Sequence, residues 1–192
     1  MVKEGDGLTR LATAARSGDG KAMEAFVDAA YEQVWRLCAT LVDEASGDDL
    51  AQETFVRAIR ALPGFRGDSS ARTWLLAIAR YTCLDELRSR TRRRRRDALA
   101  APSLRGEPSV PDSSQEVAVS DLVRCLEPDR RAAFVLTQML GLSYEEAALV
   151  CGCPTGTIRS RVARARTDLL DLLDLPESRR REPRTTPGQS SA

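Results

Sequence analysis

The 192-residue chain predicts an all-α fold of two small helical domains joined by a flexible linker. Three observations carry this expectation. Apolar residues recur at three- and four-residue spacing in both halves, and no alternating strand pattern persists anywhere. Helix start and stop signals punctuate the same stretches. Between the halves, residues 97–115, DALAAPSLRGEPSVPDSSQ, lose all periodicity and fill with Pro, Ser, Gly and small residues.

The elements follow in order. Leu8 to Arg16 is a short Ala-rich helix, broken at Gly18-Asp19-Gly20. A long amphipathic helix runs from about Lys21 to Val42, with Phe26, Ala30, Val34, Leu37 and Leu41 along one face. Ser46-Gly47-Asp48 starts a third helix, Asp49 to Leu62, which Pro63-Gly64 stops. Phe65 to Ser70 is a polar loop, and a fourth helix runs from Ala71 to Arg90 or beyond. The domains are therefore expected at residues 1–96 and 116–175. The segment 97–115 is the linker, and 176–192 has the composition of a disordered tail.

Composition narrows the function classes. No apolar run approaches the ~18 residues that span a bilayer, and the N-terminus lacks a secretion-signal pattern, so no membrane insertion and a cytoplasmic location are expected. Five cysteines in no stapling arrangement suit reduced thiols. The net charge of +1 conceals a block pattern. Residues 1–56 carry a net −6, residues 57–96 a net +9, and residues 97–192 a net −2. Such blocking presents one surface to a polyanion and another to a basic partner.

The second domain holds the sharpest motif, LSYEEAALVCGCPTGTIRSRVARARTDLL. Ser143 and Glu146 fit a capping box that starts a helix at about Tyr144. Gly152 falls where a left-handed turn is needed, and Thr155 is placed to cap the next helix after Pro154. On that helix Ile158, Val162, Ala165 and Leu169 form an apolar stripe. Thr157, Arg159, Ser160, Arg161, Arg164 and Arg166 point away from it, and no acid occurs from Thr155 to Thr167. Two helices, a short Gly turn and a cationic second helix are what a major-groove reader requires. A helix hairpin with a merely solvated cationic face is the alternative.

In the first domain, Asp49, Gln52 and Glu53 share one helical face and offer a negative, hydrogen-bonding patch to a basic partner. Taken alone, such a face fits plain solvation better than docking. The segment GFRGDSSARTWLLAIARYTCLDELRSRTRRRRR combines aromatics, a polar loop and dense arginine, the mixture used on single-stranded DNA. Taken alone, Trp74 reads as a core residue.

DDLAQETFVRAI, FRGDSSARTWLLAIAR, the linker, LSYEEAA and CPTGTIRSRVARAR together resemble the motif order of bacterial extracytoplasmic-function sigma factors of the sigma-70 family. The closer resemblance is to the actinobacterial sigma-C-like branch. It covers about residues 20–96 and 116–172, and implies a sigma region 2 domain followed by a helix-turn-helix sigma region 4 domain. The implied function is that of a promoter-specificity subunit with no catalysis of its own and no cofactor. By this resemblance Asp49, Gln52 and Glu53 meet the clamp helices of the polymerase β′ subunit. The loop carrying Phe65, Arg66, Asp68, Ser69 and Ser70 receives a flipped minus-ten base. Arg72, Trp74, Arg80, Tyr81 and Arg88 lie along the opened strand. Arg159, Ser160, Ala163 and Arg164 read the minus-thirty-five element, with Thr155, Thr157 and Arg161 on the backbone nearby. The second domain also rests on the β flap, and an anti-sigma factor clamps both domains. Tyr81 stands where many members carry asparagine, and tyrosine does not reproduce an amide.

Other signals are weaker. Arg92 to Arg96 is either a solvated run or a contact to phosphate or polymerase. Cys151 and Cys153 lack the four ligands of a closed metal site, and Cys38, Cys83 and Cys125 suit apolar positions. No enzyme motif is present, since there is no phosphate-binding glycine loop and no histidine. Two rivals remain. One is a helix-turn-helix regulator of duplex DNA, which has no use for the Asp49/Gln52/Glu53 face. The other is a protein adaptor, which leaves Arg159 and Arg164 idle.

Overall fold

The structure is a computed structural model that describes residues 4–100 and 119–174. All regular structure among these residues is helical. Helix α1 spans Glu4–Arg16 and α2 spans Gly20–Leu41. Asp19 caps α2, its carboxylate accepting from the Ala22 amide at 3.1 Å. The expected stripe of Phe26, Ala30, Val34, Leu37 and Leu41 is buried. A single tight turn, Glu44–Ser46, capped by Asp43, leads into α3, Gly47–Ala61. Gly47 is required by packing: a Cβ there would lie 2.8 Å from the Trp35 indole nitrogen.

After a turn at Leu62–Gly64 and the loop 65–70, α4 runs from Ala71 to Ala100. Ser70 opens it, its hydroxyl accepting from the Thr73 amide at 3.1 Å. The helix therefore continues through the arginine run and into the expected linker. The rest of that linker and the C-terminal tail lie outside the described residues.

The second unit contains α5, Val119–Arg124, and α6, Pro128–Phe134. A wide helical turn at Val135–Met139 follows α6. Then come α7, Tyr144–Cys151, and α8, Thr155–Asp174. The Ser143/Glu146 capping box is complete, with bonds of 2.8 and 3.1 Å. Gly152 takes the left-handed conformation at φ 64°, as the turn demands. Thr155 does not precede α8 but is its first residue. The Pro154 carbonyl accepts the first amide bonds, from Thr157 at 2.9 Å and Ile158 at 3.3 Å.

The two units are not held apart. Buried side chains from Leu8 to Ala165 form one continuous apolar cluster, and α4 packs on α7. Arginines bridge the seam to backbone carbonyls. Arg72 Nη2 donates to the Leu140 carbonyl at 2.5 Å, and Arg131 Nη1 donates to Leu41, at the end of α2, at 2.7 Å. Arg131 Nη2 also donates to the carbonyls of Arg124 and Leu126. Burial lowers the pKa of this guanidinium, whose hydrogen bonds go to backbone carbonyls. Sequence periodicity marks which residues are buried but not which unit they bury against, so this closure was not anticipated.

Candidate nucleic-acid interface

The site is built upward from α3. Its buried stripe is Leu50, Ala51, Thr54, Phe55 and Ala58, which turns Asp49, Gln52 and Glu53 outward together. The same exposed face continues through Val56, 41% exposed, Ile59, 43% exposed, and Arg60. The sequence reading overlooked this apolar extension, although both residues fall off the buried stripe. Arg57 steadies the face, donating to Glu53 at 2.8 Å and across to Asp85 of α4 at 3.0 Å. Those carboxylates, Glu53 first, raise the pKa of the guanidinium.

Helix α1 holds the loop 65–70 from both ends. Arg16 Nη1 donates to the Phe65 carbonyl at 2.6 Å, and Thr9 Oγ1 accepts from the Ala71 amide at 3.0 Å. Sequence alone assigns α1 no role, because a contact 49 or 62 residues away leaves no local pattern. Arg66, Gly67 and Asp68 are exposed at the tip, and Ser69 and Ser70 are half-buried. Phe65 departs from expectation. Its ring is buried against Trp74, with centroids 5.0 Å apart, so it anchors the loop and is not offered to a ligand. Trp74 is half-buried in the same contact, in line with its reading as a core residue.

Along α4, Tyr81 is 58% exposed and Arg88 is exposed, whereas Arg72 and Arg80 are drawn into the seam. Arg72 Nε donates to Gln33 at 2.6 Å, in addition to its bond to Leu140. The Arg80 side chain is 14% exposed. Its Nη2 meets Asp129 Oδ1 at 3.3 Å, and its buried Nε has no partner.

Helix α8 carries Arg159, Ser160, Ala163 and Arg164 on one exposed face, opposite buried Ile158, Val162 and Ala165. Thr155 and Thr157 are half-buried at its start, and Ser160 donates to the Thr157 carbonyl at 3.0 Å. Arg161 departs from this face. Its Nη2 is bonded to Asp129 Oδ2, and its Nη1 points at Cys153 Sγ, 3.5 Å away. Asp129, at the start of α6, thus sits between one arginine expected on each DNA element. A carboxylate bonded to two guanidiniums occupies donors that could otherwise bind a phosphate. The sequence offered no sign of Asp129, which lies far from both partners along the chain.

Among the described residues, no group of three or more His, Cys, Asp or Glu side chains is arranged to hold a metal ion. Cys38 and Cys83 are buried together, and their mutual hydrogen bond and burial push the Cys83 thiol up. Burial moves Cys151 up to about 11. Cys125 is exposed, contrary to its assignment to the core. Among the described residues, no helix is long and apolar enough to cross a membrane.

Comparison with known proteins places this geometry. Residues 26–93 match the Sigma-70 region 2 family model, and residues 116–169 match the Sigma-70, region 4 model. The chain is 50% identical over 171 residues to the ECF RNA polymerase sigma factor SigC of Mycobacterium tuberculosis, covering 88% of this chain and 92% of that protein. It is 37% identical over 164 residues to the ECF RNA polymerase sigma-E factor of Escherichia coli, covering 79% and 86%. Among solved structures, CnrH in complex with the cytosolic domain of CnrY superposes with a TM-score of 0.68 at 30% identity, over 88% of this chain and 97% of that one. The sigma factor RpoE of Bartonella quintana, in complex with the anti-sigma factor NepR, superposes at 0.62 and 28%, over 82% and 99%.

Proposed function

The chain belongs to the extracytoplasmic-function sigma factors of the sigma-70 family, and from that premise we propose a division of labour among its surfaces. The protein binds core RNA polymerase and directs promoter-specific initiation in the cytoplasm, where the polymerase acts, with no catalysis of its own. The exposed α3 face of Asp49, Gln52 and Glu53 docks on the β′ clamp helices, and Val56 and Ile59 add an apolar anchor. The α8 face of Arg159, Ser160, Ala163 and Arg164 reads minus-thirty-five base edges, with Thr155, Thr157 and Arg161 on the phosphates. The loop tip at Arg66 to Ser70 receives the flipped minus-ten base. Arg72, Arg80, Tyr81 and Arg88 follow the opened strand, with Tyr81 available for stacking. The β flap supports the second domain, and an anti-sigma factor, like the NepR bound to RpoE, binds across both.

The observation that carries this reading is the pairing of the α3 face with the cationic face of α8 in one chain. A plain duplex regulator needs only the second. The Asp129 contact adds a conformational step: Arg161 shares the second unit with Asp129, but Arg80 reaches it across the seam and is not free for DNA while that bond holds. Core polymerase must separate the two units before both elements are read, and free chain should bind promoters weakly.

Run-off transcription tests the proposal. Core polymerase, purified protein and a mixed promoter library should give specific transcripts. Glu53→Lys should abolish them while duplex binding by the variant survives. No specific transcript with core, alongside sequence-selective duplex binding, would instead identify a helix-turn-helix regulator.

A further inference from the structure

Arg92 to Arg96 belong neither to the closed seam nor to either reader. They stand on the last turns of α4, and every residue from Thr91 to Asp97 is exposed. The last anchor of the helix on the body is Arg90, which donates to Asp43, Ser46 and Glu86. Beyond it the helix runs on to Ala100, about 15 Å at 1.5 Å per residue. None of the five arginines forms an ion pair among the described residues, whereas Arg57, Arg80, Arg90 and Arg161 all do. Arg92 and Arg96, four apart, and Arg92 and Arg95, three apart, are like-charge neighbours that weaken an isolated helix.

We propose that Arg92 to Arg96 form a third nucleic-acid site, which grips the phosphate backbone of duplex DNA without regard to sequence while the two readers remain closed. Successive residues lie 100° apart, so the five charges surround the helix on all sides. A flat acidic protein surface meets only one side of such a helix. The segment also lacks the aromatic or aliphatic anchor on which protein interfaces depend. A B-form major groove admits an α-helix and lines it with phosphates on both walls, whereas the major groove of duplex RNA is too narrow. In the closed protein Arg72, Arg80 and Arg161 are engaged, and this projection is not. It therefore lets free chain hold DNA loosely before core polymerase opens it. The identification of the nucleic acid as DNA rests on the sigma-factor reading, but the binding itself does not.

The test uses the full chain as wild type, with Arg92–Arg96→Gln and with the charge-keeping Arg92–Arg96→Lys. Each is titrated against a non-promoter duplex across a salt series. With about three of the five arginines on phosphates, the Gln variant should show a slope of log K against log salt shallower by roughly 3, at ~0.9 per phosphate. Its affinity should fall about tenfold or more at low salt, equally on promoter and non-promoter duplexes, and the Lys variant should match wild type. Holoenzyme carrying the Gln variant should keep its start sites. An unchanged slope, a loss confined to promoter duplex, an equal loss on duplex RNA, or a fall in core affinity with DNA binding intact would overturn the proposal. If the sigma reading alone were wrong, the transcription control would fail while the salt slope still changed.

Discussion

Replacing Asp129 by Asn should open the free protein and raise its affinity for promoter DNA. The carboxylate is 41% exposed, while its partners Arg80 and Arg161 are 14% and 22% exposed. Removing one member of a fully buried pair costs about 3–5 kcal/mol, and an exposed pair is worth about 0–1. The bond to Arg161 lies within the second unit and survives opening, so only the Arg80 contact, at 3.3 Å, counts toward closure, and its loss costs about 1 kcal/mol. That is about fivefold in the closing equilibrium, at ~1.4 kcal/mol per tenfold. Apparent affinity scales with the open fraction, so binding of free chain to a promoter duplex rises by up to the same factor. Fluorescence anisotropy measures the affinity, and small-angle scattering of the free variant should show a larger radius of gyration. Removing a negative charge near a DNA surface also raises affinity, but it does not expand the molecule. Unchanged dimensions would therefore refute the reasoning even if affinity rose.

Three further outcomes follow from local geometry. Gly47→Ala pushes a methyl group to 2.8 Å from the Trp35 indole nitrogen. Overpacking of this kind costs about 1–3 kcal/mol, which at ~2–4 °C per kcal/mol should appear as a clear drop in Tm. Ser143→Ala removes half of the capping box and should destabilise by about 1 kcal/mol in denaturant titration, loosening the start of α7 with no change in sequence preference. Burial opposes ionisation of Asp43, but its bonds to Arg90 and Ser46 outweigh burial and hold the carboxyl below its ordinary value. A lowered pKa contributes stability above the ordinary carboxylate range and loses it as pH falls through the folded value. The Tm gap between wild type and Asp43→Asn should accordingly be constant above about pH 5 and shrink below it.

What the sequence made legible was local. The stripe in α2, the stop at Pro63-Gly64, the capping box at Ser143 and the left-handed Gly152 are each set by residues within one or two turns. The exposed faces of α3 and α8 follow the same periodicity, which is why Asp49, Gln52, Glu53, Arg159 and Arg164 are found where expected. Several misses involve distance along the chain. The bond from Arg16 to the Phe65 carbonyl spans 49 residues, and that from Arg131 to Leu41 spans 90. The resemblance placed Phe65 in the loop that receives a flipped base, whereas its ring is buried in the core and packs on Trp74. Arg161 looked like its neighbours on the cationic helix, and only the fold brings Asp129 to it. The charge blocks gave the polarity of the molecule but not which charges are already neutralised.

The central claim is that two readers, closed in the free chain, open on core polymerase and separate the strands of the minus-ten element. Permanganate reactivity of unpaired thymines measures this directly on a promoter duplex given free chain, core enzyme, or both. The prediction is reactivity confined to the minus-ten element and present only when chain and core are combined. Reactive thymines with free chain alone, or none with the two together, would contradict it.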